Sequence, residues 1–229
     1  MKTKRILYLI VLISILSPIP FGCSNLSGEK YADETKTAED SLNYYYMGAY
    51  SLYSRFFIVD DSLFNDTVIL DKSLDLLNKG LAIDSDNMKI HNLKCMIYVF
   101  KHCYKEALSE NDVLLKISHN NPEAIFAKAT IYDAMGDYEK SKTAITECLF
   151  QCDSLLECSK LEKNELSAIM HLSLMATEYI YGSDSAVKKA NDYMDVYPDN
   201  EMLKYEKGIY VRNKIDDNGI KEQIQKLIR

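Results

Sequence analysis

One spacing constrains this chain more than any other feature: segments of like pattern recur every 34 residues. Tyr104-Lys105-Glu106-Ala107-Leu108 stands 34 residues before Tyr138-Glu139-Lys140-Ser141-Lys142, and Asp71-Lys72-Ser73-Leu74 is in the same step ahead of the first. The step also joins Leu77 to Asn111 and Ile145, Gly80 to Leu114 and Cys148, and Leu81 to Leu115 and Leu149. A period of this length holds two helices and a turn. One such pair cannot cover its own apolar stripe, so neighbouring pairs must stack to bury it. The spacing therefore predicts an all-α chain, and composition agrees: 47% hydrophobic residues, no Trp, 8 Gly and 4 Pro.

The register resembles that of the tetratricopeptide repeats, with Met135-Gly136-Asp137-Tyr138 at the family's inter-helix turn and Pro198 at its terminal Pro place. Gly48 and Gly208 fall at the family's Gly place, where a small residue lets the paired helix come close. The resemblance implies an α-solenoid of about five helix-turn-helix units, curved into a right-handed superhelix, over residues 41–229. The units are 41–87, 88–121, 122–155, 167–200 and 201–229, with a longer turn at 58–67 and 11 extra residues at 156–166. Pro122 opens its helix at a first-turn position, where a missing donor costs nothing.

The first 22 residues read as an address. Lys2, Lys4 and Arg5 precede an apolar run, Ile6 to Leu16, that is too short to span a bilayer, which takes about 20 apolar residues. Gly22-Cys23 resembles the lipobox of bacterial lipoproteins, with Pro20 where that family favours Leu. The resemblance implies lipid attachment at Cys23, and anchoring by more than one acyl chain is lasting. Ser24 after the Cys implies an outer-membrane rather than inner-membrane address. Residues 23–40 then form a polar tether.

Loss of residues 1–22 leaves 24 basic against 34 acidic residues, a formal charge of −10. That excess disfavours binding to nucleic acid or to anionic head groups through bulk electrostatics, so no nucleic-acid partner is expected. Beyond Cys23 there are five cysteines, Cys95, Cys103, Cys148, Cys152 and Cys158. Cys148 and Cys152, at i and i+4 on one helix, stand too far apart for a disulfide. Core packing suits most of these thiols, and Cys152 with Cys158 across a loop is the pairing to test first.

In the tetratricopeptide family the first helices of successive pairs line a concave groove. Register carries that role here to Tyr45 and Tyr53, to Asn92, Met96 and Phe100, to Phe126, to His171 and Tyr179, and to Tyr205 and Arg212. Tyr and Met suit partner recognition, being respectively rigid and adaptable. The competing expectation is that several of these side chains pack between adjacent first helices. Tyr45 and Ala49 occupy two places of the family's carboxylate clamp, so no such clamp is expected. No phosphate loop, nucleophile elbow or His-Glu-x-x-His is present. His91 and Cys95 share a helix face, but Cys95 falls at a core place, so no metal, cofactor or catalytic site is expected. The expected function is that of a lipid-anchored scaffold or adaptor at the cell envelope that binds another protein or a peptide segment. The alternative is a glycan- or peptide-capturing lipoprotein of an outer-membrane uptake system.

Overall fold

The computed structural model describes residues 37–58, 67–158 and 161–213. The expected signal segment, Cys23 and the expected tether to residue 36 lie outside the described residues, as does the expected last helix beyond residue 213. Among the described residues every regular element is an α-helix. They are α1 (Ala38–Ile58), α2 (Thr67–Leu81), α3 (Met88–Phe100), α4 (Tyr104–Ile117) and α5 (Pro122–Ala134). After these come α6 (Tyr138–Cys158), α7 (Lys163–Tyr181), α8 (Ser183–Val196) and α9 (Glu201–Asn213).

The 34-residue step is visible in the chain's local chemistry. Asn87, Asn121 and Asn200 each stand one residue before a helix and accept its first backbone amides. Asn87 takes Ile90 N at 3.2 Å, Asn121 takes Glu123 N at 2.9 Å, and Asn200 takes Met202 N at 3.1 Å. Such a cap satisfies donors that the helix itself cannot. Asn121 follows Asn87 by one step, and Asn200 follows by two more steps plus the 11 extra residues. Small residues repeat in the same way: Ser73, Ala107, Ser141 and Ala186 are all wholly buried. At the first of these places the second helix of its pair meets the first, and Ser73 Oγ donates across the contact to the Ala49 carbonyl at 2.8 Å.

The chain divides into two compact units, Met1–Val113 and Leu114–Arg229. In the first, α1 packs on α2, and α3 packs on both. Its core is Ala49, Tyr53, Phe56, Leu70, Leu74, Leu77, Ile90, Leu93 and Ile97. The second unit runs α5 on α6, α6 on α7, α7 on α8 and α8 on α9, and there the first helices also meet, α5 with α7 and α7 with α9. Its core gathers Met170, Leu174, Ala186, Ala190, Leu203 and Tyr210. Consecutive helix pairs packed in this order are a helical-repeat architecture. The 11 extra residues do not form one long loop: α6 runs on to Cys158 and α7 begins at Lys163.

Candidate functional site

In the first unit the candidate side chains come from α1 and α3, the leading helices of two pairs. Tyr45 is half-buried, its ring edge-on to the exposed Tyr44 at 5.6 Å. Asn92, Met96 and Phe100 are half-buried on α3, and Met96 and Phe100 rest against the core. Tyr53 departs from expectation. It is wholly buried, its ring 5.9 Å from that of Phe100, so it joins α1 to α3 and offers nothing to a partner. The physical reason is that α1 leans directly on α3, and a ring at their contact is worth more dry than exposed.

The second unit repeats that lesson. Phe126 on α5 is buried at 6% exposure, which also takes it out of a recognition surface. Tyr179 on α7 donates through its hydroxyl to Asp133 Oδ1 at 2.6 Å, and Ser141 Oγ lies 2.8 Å from that Tyr179 hydroxyl oxygen. Because the Tyr proton goes to the carboxylate, Ser141 is the donor of the second bond. Burial and the bond to Asp133 push the Tyr179 hydroxyl above its usual range. The bonds brace α5, α6 and α7 together. His171 on α7 pairs through Nδ1 with the buried Glu206 of α9. Tyr205, one residue before Glu206, is 55% exposed and stays available. The Arg212 side chain lies outside the described residues.

The cysteines behave as packing. Cys95, Cys103, Cys148 and Cys152 are free thiols. Cys95 Sγ donates to the Ala107 carbonyl at 3.4 Å, and burial, with Glu110 nearby, pushes the thiol up to about 12. Cys148 Sγ donates to the Pro122 carbonyl at 3.3 Å, while hydrogen bonding with Cys152 and burial push it up. The expected loop between Cys152 and Cys158 is not there, since both lie on α6. Six helical residues separate them by about 9 Å of rise, beyond the reach of a disulfide. Among the described residues no group of three His, Cys, Asp or Glu is placed to hold a metal ion. His91 in particular has both ring nitrogens taken, by Glu110 and by the Ser85 carbonyl.

Sequence reasoning missed two buried ionic groups. Glu110 lies between His91 and Lys94, each at 2.6 Å, and Glu206 lies against His171. The signal was present as charges at places where the repeat puts apolar residues, but pairing across 16 to 35 positions needs the fold.

No family model matches the chain. Over 173 residues, 75% of its length, it is 25% identical to the DnaJ homolog subfamily C member 3 of Gallus gallus. The chain spans about a third of that protein's length, 32%. An all-helical chain of stacked pairs with this distant likeness fits the tetratricopeptide reading.

Proposed function

We propose that this protein is a non-enzymatic adaptor that holds another protein, or a peptide segment of one, against the leading helices of its repeats. The observation that carries the reading is the contact of leading helix with leading helix, α1 on α3, α5 on α7 and α7 on α9. Their buried sides are spent on one another, and what remains for a partner is amphipathic: Tyr45, Asn92 and Met96 in the first unit, Tyr205 in the second. Side chains of this kind give contact area at low entropic cost. The distant likeness to a DnaJ homolog supports a protein partner, and the acidic charge disfavours nucleic acid.

We further propose that Cys23 carries the lipid and moors the adaptor to a bacterial envelope, with an outer-membrane address. The reading rests on Gly22-Cys23 after a short apolar run. Crosslinking in cells with a lysine-reactive reagent, followed by mass spectrometry, tests the adaptor. Tyr45→Ala combined with Tyr205→Ala should lower recovery of the crosslinked protein about tenfold with helical circular dichroism unchanged. Undiminished recovery would sink the assignment of these two side chains to a partner. Labelled palmitate should enter the wild type and not Cys23→Ser, and equal labelling removes the anchor while leaving the adaptor standing.

A further inference from the structure

Glu123 is the second residue of α5, and its surroundings set it apart. From Pro122 to Phe126 it alone is not buried, so its carboxylate is a polar opening in an apolar wall of Pro122, Ala124, Ile125 and Phe126. Among the described residues no hydrogen-bond or ion-pair partner meets this side chain, and loss of water alone raises its carboxyl to about 7. A carboxylate partly stripped of water and left without a donor is costly. It also gains more from a cation than one in bulk water does. Register puts Glu123 at the same place on α5 as Ala168 on α7 and Met202 on α9. All three are half-buried, so this row opens to water along the leading helices. The unit around it, Leu114–Arg229, holds 19 acidic residues against 15 basic ones. A donor arriving here is therefore favoured when it carries positive charge.

We propose that Glu123 receives a basic side chain, Arg or Lys, from the segment that docks on the leading helices. A guanidinium offers paired donors to the two carboxyl oxygens, and its apolar stem can lie along the rim around them. A metal ion does not suit the place, since among the described residues no group of three His, Cys, Asp or Glu could hold one. The inference rests on the adaptor reading and fixes the chemistry of its partner at one point.

The test uses the full chain, labelled with ¹⁵N. The probe is Nα-acetyl-arginine amide, with the citrulline analogue as its uncharged counterpart. Both are titrated in at about pH 8, where the carboxyl is ionised, and in about 0.15 M salt, which screens distant charges. The arginine probe should shift the amides of residues 123–126 and bind about tenfold more tightly than the citrulline one, the worth of one charge-assisted hydrogen bond. Glu123→Gln should bring the two probes to parity. Glu139→Gln, which removes an exposed charge from α6, should leave the preference in place. Equal binding of both probes, shifts that miss residues 123–126, or an equal loss in Glu139→Gln overturns the proposal. Should Glu123→Gln fail to fold, the wild-type shifts and the preference for arginine decide. Crosslinked recovery that still depends on Tyr45 and Tyr205 would then leave the adaptor standing without this anchor.

Discussion

At the residue scale, Glu123 is the titrating group with a marked consequence for stability. It is the second residue of α5 and half-buried, and burial pushes its carboxyl from 4.5 up to about 7. Between these values the folded chain holds a proton that the unfolded chain has released. Stability therefore falls as pH rises through this window, the reverse of a salt-bridged acid. Glu123→Gln keeps the shape and removes the charge. Urea unfolding should show a smaller loss of midpoint from pH 5 to pH 8 in this variant, and a higher midpoint than wild type at pH 8. Equal slopes in both proteins would show the carboxylate to be solvated. Residues of this kind are hard to read in a sequence. Glu123 looks like a favourable acid in a helix's first turn, and only its neighbours make it costly.

Elements were far more legible, because their signals are local. The Asn caps, the small residues of the second helices and the turn at Gly136 all recur on the 34-residue step. His102 and Gly136 are one step apart and share a left-handed backbone, with φ of 57° and 80°. The turns are the same hydrogen-bonded unit, Cys103 N to Tyr98 O at 2.8 Å and Asp137 N to Tyr132 O at 2.9 Å. Glycine takes this conformation freely, whereas a residue with a Cβ costs roughly 1 kcal/mol or more there. A Cβ on Gly136 would meet nothing within 4 Å, so Gly136→Ala isolates the backbone term. It should destabilise by about 1 kcal/mol in chemical denaturation, and a neutral result would mean that the turn relaxes. The 11 extra residues were the hardest element to place. Nothing in Leu156 to Leu166 breaks helical geometry strongly, so the flanking helices lengthened instead of looping.

For the whole molecule, the two compact units have separate apolar clusters, one around Leu77 and Ile90 and the other around Met170 and Leu203. Repeat chains derive stability from near neighbours, so damage should stay close to where it is made. Leu77→Ala empties a wholly buried site and should cost about 2–5 kcal/mol locally. Hydrogen exchange should then quicken through α2 and α3 while amides around Met170 and Leu174 change less than tenfold. Uniform acceleration would mean that the chain opens as one body. Period, helix pairing and most helix ends were determined by the sequence alone, because capping, turns and apolar spacing act over a few residues and repeat. Which candidate side chains stay open to a partner was decided only by tertiary structure. Register alone put Tyr53 and Phe126 beside Tyr205, but the stacked helices bury the first two, Tyr53 against Phe100 of the next leading helix, and leave the third in water. The same packing brought Glu110 between His91 and Lys94 and set Glu206 against His171, because partners far apart in the chain meet only once the helices have stacked.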